Sequence, residues 1–499
     1  MNLESTYVVA GEVSPHTITR SLQALLPTRS RTLGRQRYTV LDTFDGRVRR
    51  AGARLTYATA DGHSVMSWKA SGTGSELAVR LPRPARFAWE FPDCALYRVL
   101  APVIGPRRLL PQAEAEESGS LLDVLDDRGK TVARVRVESG HARLPQTRGA
   151  WQPLPTVVTL EGLRGYSEQF QRLVPVVESR PGITHCPEGV EGLIRRHIGA
   201  SEPHDVSSVR LDLAAGVRAD VGARQIHLAL LDVMQANQPG LQANLDSEFL
   251  HDFRVAVRRT RSLLGQIRLV FAEDVVRHFA GEFSWLGKLT GPPRDLDVLV
   301  LTLRERSRAL PIEGLDGLVT LLEKTQHEQH ARLVDGLQSE RFARLTKEWR
   351  GFLTQPISVQ PAAPNARRRL AQVISERAWQ LSRKIGRRAA ALDEATAPEA
   401  VHDLRVQAKK LRYLVDVAPR SRGDLDVKRV LVALKSLQRV LGDFNDAHVQ
   451  QQRFMEYRIG HLAEQARERA EQLRADVIDE ARRFSGRAVR SACRRAFKR

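Results

Sequence analysis

Cysteine is nearly missing from this 499-residue chain: Cys94, Cys186 and Cys493 are odd in number and far apart. That spacing supports neither a disulfide framework nor a zinc site, and it fits a reducing compartment best. Long apolar runs are missing too. None approaches the roughly 20 residues needed to span a bilayer, and the opening Met-Asn-Leu-Glu-Ser-Thr-Tyr lacks the basic and apolar regions of a secretory leader. A cytoplasmic protein without a membrane partner is expected. Aromatic residues make up only 6%, which leaves little material for the base-stacking platforms of single-strand nucleic-acid binders.

Charge, by contrast, is plentiful. Hydrophobic residues at 42% and charged residues at 27% are the composition of a folded globular chain. The 78 Lys plus Arg exceed the 58 Asp plus Glu, giving a net charge of +20. Such a surface attracts nucleic acid, anionic lipid or condensed phosphate, and charge alone does not choose among them. Most of the excess lies beyond residue 200, where 51 basic residues face 38 acidic ones.

The texture changes near that point, and the length itself calls for more than one core. From Met1 to about His185 the chain is broken into short Val-, Thr-, Leu- and Tyr-containing segments by Gly and Pro, a strand-and-turn pattern. Arg128-Gly-Lys reads as the turn of a hairpin between Ser120-Leu-Leu-Asp-Val-Leu and Thr131-Val-Ala-Arg-Val. An α+β domain built on an antiparallel barrel or tunnel is expected over residues 1–200. The prolines and glycines between Ser179 and Ser207 place the domain junction near residue 200. Residues 201–499 are expected to be all-helical, since stretches such as Asn365–Leu392 and Asp426–Leu473 carry Leu, Val and Ala at three- and four-residue spacing with little Gly and no Pro.

The helical half repeats itself. His251-Asp-Phe-Arg-Val-Ala-Val-Arg-Arg-Thr-Arg-Ser-Leu aligns with His402-Asp-Leu-Arg-Val-Gln-Ala-Lys-Lys-Leu-Arg-Tyr-Leu at an offset of 151 residues (402 − 251). The same offset pairs Gly291 with Gly442, Asp295 with Asp446 and Val298 with Val449. Two registered blocks argue for duplication, with copies at about 206–355 and 360–499.

On a helix of 3.6 residues per turn, positions i, i+3, i+7 and i+10 share one face. That face holds His251, Arg254, Arg258 and Arg261 in the first copy, and His402, Arg405, Lys409 and Arg412 in the second. Phe253, Val257 and Leu264, with Leu404, Ala408 and Val415, fall on a neighbouring arc suited to a core. Clustered like charges repel, so a cationic face kept in both copies points to a polyanion that offsets the repulsion. Arginine forks, a lysine point charge and imidazole all donate well to phosphate oxygens. Lys288 and Arg439 pair at the same offset and are second-tier candidates. A bland reading stays open: the face is solvated, Asp295 and Asp446 fold back onto the arginines, and the histidines sit at helix starts, with Thr396-Ala-Pro-Glu399 resembling a capping box.

His-Asp-x-Arg-Val followed by basic pairs and a downstream Gly-x-x-x-Asp, present twice, resembles the CHAD family over Val206 to about Phe484. The resemblance implies two pseudo-symmetric four-helix bundles that bind inorganic polyphosphate along a basic surface and associate with polyphosphate granules. It implies ligand contacts from the eight residues of the two faces. The first half resembles a CYTH domain, the triphosphate tunnel fold, through Tyr38-Thr-Val-Leu-Asp-Thr-Phe-Asp, Arg50-Ala-Gly-Ala-Arg-Leu and Glu161-Gly-Leu-Arg-Gly-Tyr. Its opening Glu-x-Glu-x-Lys reads Glu4-Ser-Thr6-Tyr-Val8, and its Leu-Arg-x-Arg strand reads Leu55-Thr56-Tyr57-Ala58. Lys69, Glu76, Arg134, Arg136, Glu138 and Glu161 remain as tunnel candidates.

Metal-dependent phosphoryl chemistry needs several carboxylates and several cations together. With both depleted, no catalytic or metal-binding residues and no cofactor are expected, with Mg2+ or Mn2+ entering only if the tunnel is active. The leading expectation is a non-catalytic binder of polyphosphate or another phosphate-rich polyanion. A metal-dependent triphosphatase in the first half is the alternative, and nucleic-acid binding is the third reading.

Overall fold

The computed structural model describes residues 4–11, 13–60, 63–70, 76–145, 150–200, 211–309, 315–419 and 425–498. The chain divides into two compact units, Met1–Asp205 and Val206–Arg499. The division falls within residues 201–210, outside the described ones.

Unit 1 holds nine strands: β1 (Glu4–Val9), β2 (Thr28–Asp42), β3 (Ala53–Ala60), β4 (His63–Ala70), β5 (Glu76–Leu81), β6 (Leu110–Leu125), β7 (Thr131–Arg143), β8 (Gln152–Gly162) and β9 (Ile183–His185). Its helices are α1 (Pro15–Gln23), α2 (Arg47–Arg50), α3 (Ala95–Ile104), α4 (Ser167–Glu178) and α5 (Gly189–His197). The strands form one antiparallel sheet in the order β5-β4-β3-β2-β6-β7-β8-β1-β9. The expected hairpin is there, with strands longer than the sequence pattern suggested and a turn at Asp126–Lys130.

Period two explains the sheet's two faces. On β7, Ala133, Val135 and Val137 are fully buried with Leu22 of α1 and Phe170 of α4, while Arg134, Arg136 and Glu138 alternate onto the other face. That second face turns inward. Lys69 of β4 and Glu161 of β8 are five strand spacings apart in the sheet order, about 24 Å if the sheet were flat, yet Lys69 Nζ lies 2.7 Å from Glu161 Oε1. The sheet must therefore curl round a cavity. Within the Pro- and Gly-containing stretch the chain forms β9 and α5, α5 lines that cavity, and the two units divide just beyond, between residues 205 and 206.

Unit 2 is helical throughout its described residues: α6 (Ala219–Gln242), α7 (Ser247–Gln266), α8 (Glu273–Leu289), α9 (Gly291–Ala309), α10 (Leu315–Gln338), α11 (Glu340–Thr354), α12 (Leu370–Ala390), α13 (Pro398–Asp416), α14 (Leu425–Glu456), α15 (Gly460–Ser485) and α16 (Arg487–Phe497). Helices α12 to α15 pack in a ring as a four-helix bundle, with α16 against α12 and α14. The first copy builds the same bundle from α6, α7, α8 with α9, and α10 with α11.

Where the second copy runs straight through α14, the first breaks between α8 and α9. Pro292 and Pro293, equivalent to Asp443 and Phe444, lack the N–H groups that a continuous helix needs. Thr290 Oγ1 instead donates to the Leu286 carbonyl at 2.9 Å. The stretch Asp426–Leu473 is two helices, α14 and α15, because Arg458 between them adopts a left-handed φ of 58° and Ile459 N donates to the Phe454 carbonyl at 2.8 Å.

The copies meet about a pseudo-two-fold axis. Arg218 and Arg369, equivalent at the 151 offset, form an antiparallel bridge with each other. Ala219 N donates to the Arg368 carbonyl and Leu370 N to the Val217 carbonyl. Leu299, Leu303 and Leu322 of the first copy share a core with Phe454, Leu462 and Ala466 of the second.

Candidate functional site

The two basic helix faces come together because their helices do: α7 packs against α13. Apolar spacing fixes the rotation of each. Phe253, Val257 and Leu264 are buried, as are Leu404, Ala408 and Val415, which leaves the i, i+3, i+7, i+10 stripe turned away from each bundle's core. Asp246 caps α7, its side chain accepting from Glu248 N and Phe249 N.

Arg258 and Lys409 are equivalent residues and near neighbours, so they straddle the pseudo-two-fold axis. Burial, then the fields of Arg405 and Arg258, push the Lys409 ammonium down to about 8. Arg254 is likewise lowered, by burial first and then by Arg258. Arg254, Arg258, Lys409 and Arg405 thus form one continuous cationic seam. The Nε atoms of Arg258, Arg405 and Arg412 are buried and make no hydrogen bond among the described residues, a cost that an external acceptor would relieve.

Several members of the stripe have local partners. Arg254 Nη1 donates to Thr290 Oγ1 at 3.4 Å and Arg261 Nη2 to Ser284 Oγ at 3.5 Å. Arg261 lies over Gly287, where an added Cβ would meet its Nη1 at 2.9 Å. Arg412 is 3.9 Å from Asp416. His402 Nδ1 is 2.6 Å from Asn445 Oδ1, on an exposed ring. His251 is half-buried, one turn inside α7. Neither histidine occupies a helix start. The capping box does not form: Ala397 is the N-cap of α13 without a side-chain bond, and Thr396 Oγ1 instead bonds Asp393.

The two aspartates behave differently. Asp446 Oδ1 is 3.4 Å from Arg405 Nη2, whereas Asp295 pairs with Arg453 at 3.5 Å. Lys288 is exposed in the last turn of α8, and Arg439 pairs with Asp443 one turn along α14 at 3.5 Å. Both stand apart from the seam's contacts.

Unit 1 offers a second candidate, a cavity of about 970 Å³. Glu4, Lys69, Glu76, Arg136, Glu138 and Glu161 line it, while Arg134 does not and pairs instead with Asp123 at 3.1 Å. Sequence reasoning missed Arg31, Arg49, Glu117, Glu191 and Arg195, and held Arg54 only within the quoted Arg50-Ala-Gly-Ala-Arg-Leu segment. Glu4 and Glu161 sit opposite each other on β1 and β8, an unfavourable pairing for like charges. Lys69 lies between them, at 3.3 and 2.7 Å. Burial pushes Glu161 up, but Lys69, Arg136 and Arg134 outweigh it and hold the carboxyl below its usual range. Glu117 and Glu138 are raised, chiefly by burial, with Glu117 accepting from Tyr38 at 2.9 Å.

Among the described residues no group of three or more His, Cys, Asp or Glu is placed to hold a metal ion, and an ammonium stands where the Glu4–Glu161 pair would need a cation. The quoted Tyr38–Asp45 segment is a structural corner: Asp42 accepts from Thr43 N, Val48 N and Arg49 N, and Asp45 pairs with Arg47 at 2.9 Å.

Residues 225–455, all within unit 2, match the CHAD domain family. Among solved structures, the chain is similar to the CHAD domain of the plant Ricinus communis, at 25% identity over 58% of this chain and 94% of that one, with a TM-score of 0.42. It is also similar to PptA from Streptomyces chartreusis, at 17% identity over 56% and 99% of the two chains and a TM-score of 0.36. A third likeness is to HpAC1 from Hippeastrum, described as having a dominant triphosphatase activity, at 11% identity over 41% and 98% with a TM-score of 0.28. No curated protein matches the chain. The antiparallel sheet curled round a charged cavity in unit 1 is the architecture that the CYTH resemblance implies. Among the described residues no helix is long and apolar enough to cross a membrane.

Proposed function

We propose that unit 2 binds inorganic polyphosphate along the seam formed by Arg254, Arg258, Lys409 and Arg405, with His251, Arg261, His402 and Arg412 extending it at either end. The observation that carries this reading is the packing of α7 against α13, the two helices that carry the equivalent cationic faces, where burial and then the fields of Arg405 and Arg258 lower Lys409. Four neighbouring cations cost folding free energy unless an anion joins them. A linear polyanion suits the arrangement better than an isolated phosphate, because one ligand can touch both copies. Lys288 and Arg439 contribute long-range attraction rather than contact. Association with polyphosphate granules in the cytoplasm would follow from such binding.

The test is calorimetric titration of the full chain with long-chain polyphosphate, comparing wild type with the double variant Arg258→Glu, Lys409→Glu. The expected result is a loss of affinity of about a hundredfold, and a salt slope in wild type near the number of phosphates neutralised. Binding unchanged in the double variant would overturn the reading, and equal competition by duplex DNA would favour the nucleic-acid alternative.

A triphosphatase in unit 1 is the second reading, motivated by the size and charge of its cavity. Its signature would be phosphate release from triphosphate with Mg2+ or Mn2+ that disappears on Glu161→Gln. The Lys69 bridge argues against it.

A further inference from the structure

A second cavity, of about 320 Å³, lies within unit 2 away from the seam, between α12, α15 and α16. Its volume is at the lower end of what small-molecule sites occupy. Trp379, Phe484, Val489 and the buried Cys493 give it an apolar wall. Arg383, Arg387 and Arg490 stand at its edge, all exposed, with the Arg383 guanidinium 6.0 Å from the Trp379 ring centroid. None of the three arginines makes an ion pair among the described residues.

The internal duplication supplies a control. Helices α6 and α12 keep the 151 register: buried Ala223, His227, Leu230, Leu231 and Met234 fall on buried Ile374, Ala378, Leu381, Ser382 and Ile385. In the first copy the last helix of the bundle, α11, is tied to α6 by Arg350, which donates to Asp232 Oδ1 at 2.6 Å and to Gln235 Oε1 at 2.5 Å. The residues equivalent to Asp232 and Gln235 are Arg383 and Gly386. An acid that neutralises an arginine has become a third arginine, and the amide has become a glycine whose added Cβ would meet nothing within 4 Å. The place is open and cationic in the second copy where it is bridged and neutral in the first.

We infer that this pocket binds a small organic acid, its apolar body against Trp379, Phe484 and Val489 and its anionic head on Arg383, Arg387 and Arg490. The head restores the charge that Asp232 provides in the first copy, and the body fills the space that Gly386 leaves. The apolar wall separates this site from the seam, which has no such wall and suits an inorganic polyanion. A carboxylate among several guanidinium groups accepts charge-assisted hydrogen bonds in two-point geometry.

Titration of the full chain with octanoate, octylammonium and inorganic phosphate, followed by calorimetry, tests this. Octanoate should bind in the submillimolar range, with octylammonium and phosphate each at least about tenfold weaker. Arg383→Asp, which recreates the arrangement of the first copy, should weaken octanoate by about tenfold, and Gly386→Leu should abolish binding by filling the space. Both substitutions lie on exposed or open positions of α12, and an unchanged melting temperature confirms the fold. The inference is overturned if octanoate does not bind, if octylammonium or phosphate binds as tightly, or if both variants bind octanoate like wild type.

Discussion

The cavity of unit 1 and the seam of unit 2 are both dense in charge, yet they treat it in opposite ways. In the cavity, acids and bases alternate and find each other: Lys69 with Glu4 and Glu161, Arg136 with Glu161 and Glu138, Tyr38 with Glu117. In the seam the four central residues are all cations, and burial first, then repulsion from their neighbours, lowers Arg254 and Lys409. Counting charged residues would rank the two sites alike. What distinguishes a site awaiting an ion from one already complete is compensation, and the seam has less of it, with Asp446 at Arg405 among its central cations.

The largest expected effect that tests this difference is on stability. Lys69→Met would leave Glu4 and Glu161 facing each other, half out of water, and should destabilise unit 1 by about 2–3 kcal/mol at pH 7. The sign with pH is fixed by Glu161, whose folded carboxyl is lowered: the loss is full above the ordinary glutamate range and fades as pH falls through the lowered folded value. Arg258→Met should be neutral or stabilising to unit 2 in the absence of ligand, because it removes repulsion. Hydrogen exchange in graded urea, read separately for β8 and for α7, resolves the two. A Lys69→Met chain as stable as wild type would show that the cavity is no more compensated than the seam.

Much of unit 2 could be read from its residues, because a duplication writes its register twice. The 151 offset located α7 and α13, their buried arcs and their cationic faces. It could not show that α7 touches α13, since the axis depends on packing between copies, nor that Pro292 and Pro293 would split one helix into two. In unit 1 the strand texture and the Asp126–Lys130 turn were legible, while Arg31, Glu117 and Glu191 were not. Those residues matter through a curl that brings strands five spacings apart into contact, and period two alone does not record it. The glycines of the stretch from Ser179 to Ser207 sit at turns with positive φ, at Gly182, Gly189 and Gly199, which frame β9 and α5 ahead of the division between the two units.

A middle-sized effect concerns pH. Lys409, lowered to about 8 by burial and by Arg405 and Arg258, sheds its proton before a free lysine would. Without ligand the unfolded chain then holds more protons between about pH 8 and the ordinary lysine range, so stability rises with pH there. A bound polyanion favours the charged ammonium, so affinity moves the other way. Polyphosphate affinity should fall on the order of tenfold between pH 7 and pH 9.5, and Lys409→Arg should flatten the profile, since arginine stays charged. A wild-type profile flat across that window would remove Lys409 from the site.

The smallest effect separates the two copies within the seam. Asp446 contacts Arg405 directly and favours the charged form of Lys409, so it competes with an incoming phosphate for the same donors. Asp295, its equivalent, is drawn aside to Arg453 of α14 and leaves Arg254 without a carboxylate at contact distance among the described residues. Asp446→Asn should therefore tighten polyphosphate binding by about two- to threefold, while Asp295→Asn should change it by less than about twofold. The expected difference is modest because both carboxylates are exposed and screened. Titrations of the two variants side by side at low salt decide it: equal effects would mean that the ligand meets both copies alike, and a larger effect at Asp446 would place the tighter end of the seam on the second copy.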